Sequence, residues 1–111
     1  MVLVKFTTEE GMVIECPEKS IIALGRRDEA NHQQVDVDFA EIGEYGVSRL
    51  HAFIFNDDET VTIQDFNSRN GTYLNQQVLR PMQRYPLATG DTLKLGRITM
   101  TIALEAIPSQ A

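Results

Sequence analysis

A single cysteine is all this sequence contains, and one cysteine cannot close an internal disulfide. Cys16 ends the apolar run Met12-Val13-Ile14-Glu15-Cys16, so it reads as a small core or half-buried residue rather than a nucleophile. Histidine is scarce too. His32 and His51 are the only two, and neither has a Cys or His partner at zinc spacing, so no metal site is expected. Basic charge is in deficit: ten Lys and Arg face sixteen Asp and Glu, a net charge of −6. Nucleic-acid binding that ignores sequence needs a basic surface to displace counterions, and anionic membranes need the same. Neither partner is expected. The sequence shows no membrane-length apolar run, no signal peptide and no lipidation signal. A cytoplasmic location is the expectation. No segment carries an apolar stripe at 3.6-residue spacing over three turns, which argues against helices.

What the chain has is alternation. Its 111 residues suit one domain, and 42% hydrophobic content suffices for a core without staples. Val2, Val4 and Phe6 alternate with their neighbours. Met12-Val13-Ile14 follows a Glu9-Glu10-Gly11 turn, and Ser20–Leu24 runs into Gly25-Arg26. Val35–Phe39 alternates strictly, whereas Ala52-Phe53-Ile54-Phe55 is apolar on both faces, as a central strand would be. Thr60–Gln64 returns across the charged turn Asn56–Glu59. Two more hairpins are expected, at Asn75-Gln76 and Gly96-Arg97. Short strands with turn signals every 8–12 residues mean an all-β sandwich or barrel. Irregular pieces are expected at Asp28–Gln34 and Ala40–Val47. The domain is expected to occupy 1–106, followed by a frayed tail at 107–111.

Three loops are too polar and too particular to be mere connections. They hold Gly25-Arg26-Arg27, Gly46-Val47-Ser48-Arg49-Leu50-His51, and Asp65-Phe66-Asn67-Ser68-Arg69-Asn70-Gly71-Thr72. Arg26 offers a planar, permanently charged fork that matches phosphate oxygens. Ser48 offers a hydroxyl donor, with Arg49 beside it. Asn70 offers an amide that both donates to and accepts from a peptide backbone. Ser68 and Arg69 add backbone N–H groups and another guanidinium. A phosphorylated side chain brings about −1.5 to −2 charge and three acceptor oxygens, which suits these donors.

In this order, and together with Asn75 and Leu87–Gly96, these residues resemble the forkhead-associated (FHA) domain family. The matching elements span Leu24 to Gly96, and with the flanking strands the likeness covers essentially the whole chain. The resemblance implies a β-sandwich of about eleven strands that binds phosphothreonine peptides with loops at one end, as a module of Ser/Thr-kinase signalling. It implies that Arg26 and Ser48 hold the phosphate, that Arg49 lines the pocket, that Arg69 contributes from the third loop and that Asn70 binds the peptide backbone. It implies structural roles for Gly25, His51 and Gly71, with His51 tying the loops together. A phosphothreonine protein and an upstream Ser/Thr kinase are the implied partners, and no cofactor is implied. Leu50 stands where many members carry a second basic residue, Arg69 replaces a small Thr or Ser, and Gln76 replaces Gly after Asn75.

Two other readings were open to these residues. A domain of this fold can bind a partner independently of phosphorylation; the presence of Arg26, Ser48 and Asn70 separates that reading from the first. A hydrolase built from Ser48, His51 and Asp65 lacks a nucleophile elbow, and no oxyanion hole is suggested by the spacing, so the chain is not expected to be an enzyme.

Overall fold

The computed structural model describes residues 1–27, 34–42, 46–57 and 60–107. Among them are eleven strands, in two sheets. The strands are β1 (Val2–Thr8), β2 (Val13–Glu15), β3 (Ile21–Gly25), β4 (Val37–Asp38), β5 (Leu50–Asn56), β6 (Val61–Asp65), β7 (Thr72–Leu74), β8 (Gln77–Val78), β9 (Arg84–Pro86), β10 (Thr92–Leu95) and β11 (Ile98–Ala106). One sheet runs β2-β1-β11-β10-β7-β8; the other runs β4-β3-β5-β6-β9. Every pairing is antiparallel except β3 with β4.

The period of two seen in sequence becomes the core. Val4 and Phe6 of β1, Leu93 and Leu95 of β10, and Met100 and Ile102 of β11 point inward from the six-stranded sheet and are buried, as are Ile22 and Leu24 of β3, Ile54 of β5 and Ile63 of β6 from the five-stranded sheet. Side chains from the two inner faces interdigitate, as in other packed sheet pairs. Cys16 is in this core, and burial pushes its thiol up to about 12, which leaves it without a reactive thiolate at neutral pH.

Three local readings need correction. The alternation at Val35–Phe39 does bury Val37 and Phe39, but only Val37–Asp38 is a strand. The chain then closes into a 3-10 helix at Phe39–Ile42, within a stretch expected to be irregular. Strand β9, Arg84-Tyr85-Pro86, was not expected, because three residues ending in proline carry no alternation to read. It is the edge of its sheet, where proline is tolerated. The β7–β8 hairpin forms as expected despite Gln76: Asn75 and Gln76 both take positive φ, 51° and 70°. Asn75 secures this turn by bonding Asp91 Oδ1 (3.1 Å) and accepting from Thr92 N (2.9 Å). Most of Asp28–Gln34, residues 43–45 of the second irregular piece and nearly all of the tail lie outside the described residues, as does His32.

The fold places the three polar loops at one end of the sandwich. They follow β3, precede β5 and connect β6 to β7. The β10–β11 turn lies beneath the second of them. A Cβ on Gly96 would stand 2.6 Å from the carbonyl carbon of Gly46, so this approach needs a residue without a side chain.

Candidate functional site

The third loop is organised by one carboxylate. Asp65, at the end of β6, is 1% exposed, so its oxygens must find partners within the protein. Oδ1 accepts from the Ser68 hydroxyl (2.5 Å) and the Thr72 hydroxyl (2.6 Å), and Oδ2 accepts from Ser68 N (3.1 Å). The segment between Ser68 and Thr72 is thereby closed over Asp65 and held in one conformation.

His51 joins this loop to the second. The ring is fully buried. Its Nδ1 accepts from Ser48 N at 3.0 Å, so the neutral ring carries its proton on Nε2, which donates to Gly71 O at 3.0 Å. Both nitrogens are therefore spent on backbone. The Ser48 hydroxyl has no base in His51, and Asp65 is committed to Ser68 and Thr72, which removes the hydrolase reading on geometry.

Burial is the largest influence on His51 and lowers its pKa below the ordinary 6.5, against weaker upward pulls from the Gly71 carbonyl and Asp65. Below pH 6.5 the unfolded chain protonates this residue more readily than the folded one, so stability falls with falling pH. The unliganded protein is expected to show a melting temperature that declines as pH drops from 6.5 to 5. His51→Gln is expected to start lower, because Ser48 N or Gly71 O loses its partner, and to decline less steeply. An unchanged slope in His51→Gln would show that the titration lies elsewhere.

Arg26 leaves the end of β3 and is held by the second loop. Its backbone N donates to Arg49 O (3.2 Å) and its Nε to Val47 O (3.1 Å). The two Nη groups have no hydrogen-bond or ion-pair partner among the described residues. Ser48 Oγ accepts from Arg69 N at 3.0 Å, which leaves the hydroxyl proton available to donate. Asn70 Nδ2 donates to Gly46 O at 2.7 Å, while Asn70 Oδ1 has no partner among the described residues.

These residues surround an open cleft of about 470 Å³, lined by Arg26, Gly46, Val47, Ser48, Arg49, Arg69 and Asn70. All five side chains singled out as ligand contacts thus line one space. Gly25, His51 and Gly71 lie outside the lining and act as its fixings: Gly25 packs against the Arg49 carbonyl and His51 bonds Gly71 O. Sequence reasoning missed Gly46 and Val47, whose carbonyls anchor Asn70 and Arg26. An unremarkable backbone carbonyl leaves no trace in side-chain type. Leu50 begins β5 and Arg27 bonds Asp38 Oδ1 through its backbone N (2.9 Å); neither lines the cleft.

A two-sheet β-sandwich with arginine, serine and asparagine gathered in loops at one end defines a class of all-β domains that carry a polar cleft in their loops. The particular family is shown by comparison: the FHA domain family matches residues 22–96, and this chain belongs to it. The chain is similar to protein FraH of Nostoc sp., at 36% identity over 81 residues, which are 73% of this chain and 28% of that protein. It is also similar to the FHA domain-containing protein FhaA of Mycobacterium tuberculosis, at 37% over 59 residues, 53% of this chain and 11% of that protein. The chain therefore spans little more than a quarter of these relatives at most.

Among solved structures, the FHA domain of an Arabidopsis thaliana hypothetical protein matches with a TM-score of 0.71 and 28% identity, over 100% of this chain and 92% of that one. An FHA domain solved in a study of phosphothreonine-dependent FHA interactions matches at 0.69 and 24%, over 97% and 99%. M. tuberculosis EmbR, solved with a low-affinity phosphopeptide, matches at 0.76 and 19%, over 99% and 26%. The last two show likeness of fold. No helix among the described residues is long and apolar enough to cross a membrane.

Proposed function

We propose that this protein is a phosphothreonine-dependent binding module whose domain occupies 1–106, and that its cleft receives a phosphorylated segment of a partner protein. One observation carries the reading: the side chains of Arg26 and Ser48 are each held through one atom and left with donors to spare on the cleft. The phosphate oxygens meet the Arg26 Nη groups and the Ser48 hydroxyl proton. Arg49 and Arg69 add positive charge at the rim, in a protein whose net charge is −6. Three arginines on one cleft give it a local positive field that attracts phosphate despite the acidic balance of the whole chain.

Asn70, tethered to Gly46 through its nitrogen, keeps its carbonyl oxygen to accept from the peptide backbone. The loops are bonded to each other before any ligand arrives, so little ordering entropy opposes association. A Ser/Thr kinase acting in the same compartment, the cytoplasm, creates the ligand. Titration calorimetry with matched peptides tests this: phosphothreonine is expected to bind and threonine to bind at least a hundredfold more weakly. Equal affinities would sink the phosphate-dependent reading in favour of phosphorylation-independent recognition.

A further inference from the structure

The Arg69 guanidinium stands unpaired in a protein rich in acids. The chain has sixteen Asp and Glu against ten Lys and Arg, yet this side chain has no hydrogen-bond or ion-pair partner among the described residues. Asp65, the acid that begins its own loop, is buried and given over to Ser68 and Thr72.

Surface arginines are common, but this one is rooted. Ser68 before it is tied to Asp65 through its N and its hydroxyl, Asn70 after it is tied to Gly46 O, and its own N is tied to Ser48 Oγ. The side chain therefore leaves a fixed point and lines the cleft, so ordering it on a ligand costs only its own rotamers. Arg26 and Arg49 line the same cleft, and no described Asp or Glu does. A phosphothreonine brings about −1.5 to −2 of charge against these three arginines, so about one positive charge is left over.

We propose that Arg69 reads a second anionic group on the ligand, a carboxylate or a further phosphate within two residues of the phosphothreonine. This rests on the phosphothreonine reading and narrows it to segments that carry two anions close together. Arg26 and Ser48 hold the spare donors for the first phosphate. Arg69 then faces what precedes or follows it along the peptide. A planar guanidinium matches either kind of anion through two parallel bonds.

Two features limit the distance between the anions. Arg69 N lies on the Ser48 oxygen, whose proton meets the phosphate, and Asn70 beside it meets the peptide backbone. Two residues of extended chain span about 7 Å, so an anion farther along passes beyond a side chain rooted there. Such an anion would also leave the arginines for the rest of the protein, whose net charge of −6 disfavours it.

Calorimetry at low salt with a phosphothreonine peptide flanked by alanines is the reference. Glutamate, or a second phosphothreonine, is then placed at each of the two positions before and after. One of these placements is expected to tighten binding about fivefold, the worth of one well-formed pair at an open rim. A gain with glutamate identifies an acidic segment, and a gain confined to the second phosphate identifies a doubly phosphorylated one. Arg69→Gln keeps the N–H on Ser48, so it is expected to melt near the parent temperature and to cut the gain to less than about twofold. Arg49→Gln removes an equal charge from the same cleft and is expected to weaken reference and acidic peptides alike, so the gain survives. No gain at any position overturns the proposal. So does a gain that survives Arg69→Gln, which would put Arg69 on the first phosphate, and so does one that Arg49→Gln abolishes equally, which would make it a property of the general field. If the reference binds no better than its unphosphorylated form, the phosphothreonine reading fails and this role with it. If it binds better and the added anions do nothing, only the role of Arg69 fails.

Discussion

Phosphopeptide affinity is expected to fall about a hundredfold in Arg26→Ala, with only a small loss of stability. In the proposed complex, the two Nη groups left over after Nε bonds Val47 O supply two charge-assisted hydrogen bonds to phosphate. At about 1.5 kcal/mol each, the lower end for such bonds, they sum to about 3 kcal/mol, or two powers of ten. The free protein loses only the Nε bond to Val47 O, a neutral acceptor, worth about 1 kcal/mol, which lowers the melting temperature by several degrees. The backbone bond from Arg26 N to Arg49 O is kept.

Arg26→Lys separates charge from shape. It keeps the cation but has neither the Nε that reaches Val47 O nor the fork, so it is expected to recover only part of the affinity. Calorimetry with one phosphothreonine peptide and thermal melts of the same three proteins decide the matter. A collapse of melting temperature in Arg26→Ala would make the arginine a structural residue. Unchanged affinity would move the phosphate away from it.

How much of this was open to the sequence follows from what side-chain type can encode. The sandwich was legible because burial on one face imposes a period of two, and β1, β3, β5, β6 and β11 are long enough to display it. Strand β9 was not legible: it is held in place by pairing with β6, and Tyr85 buries against the core only once that pairing exists. That these polar side chains share one cleft was legible because arginine, serine and asparagine have no reason to cluster in turns for the sake of a core. Their division of labour was not. Nothing in the letters shows that Asn70 spends its nitrogen on Gly46, or that Ser48 Oγ accepts from Arg69 N and so keeps its proton.

Arg69 shows the limit most clearly. From sequence it was expected only to contribute from the third loop. In the structure its backbone N–H fixes Ser48 while its side chain lines the cleft, so the position has a structural task that any residue but proline performs and a charge that only arginine or lysine supplies. Spacing along a chain cannot separate two such roles, because both use the same residue.

The largest stability effect is expected from Gly25→Ala. Gly25 ends β3 and its φ is not in the left-handed region, so backbone freedom is not what requires glycine there. Space is. A Cβ at this position would stand 2.1 Å from Arg49 O and 2.9 Å from both Arg49 C and Val35 Cγ1. The obstacle is mainly backbone, which cannot rotate aside as a long side chain does. Gly25 pairs with Leu50 just where the β3–β5 register shifts, so strand and loop are already pressed together by the ladder.

Relief needs β3 and the second loop to separate at the cleft end. That movement strains or breaks Arg26 N to Arg49 O and Arg26 Nε to Val47 O, the two bonds that set the arginine in place. Overpacking of this kind costs about 3 kcal/mol where backbone must shift, and the melting temperature is expected to drop by about 10 °C or more. The fraction that remains folded is expected to bind phosphopeptide at least tenfold more weakly, although no atom that touches the ligand has been altered. Thermal denaturation and calorimetry below the lowered melting point check both effects. If Gly25→Ala were destabilised but bound peptide with parental affinity, the cleft would tolerate loose loops. Recognition would then rest on the donors themselves and not on their being held ready.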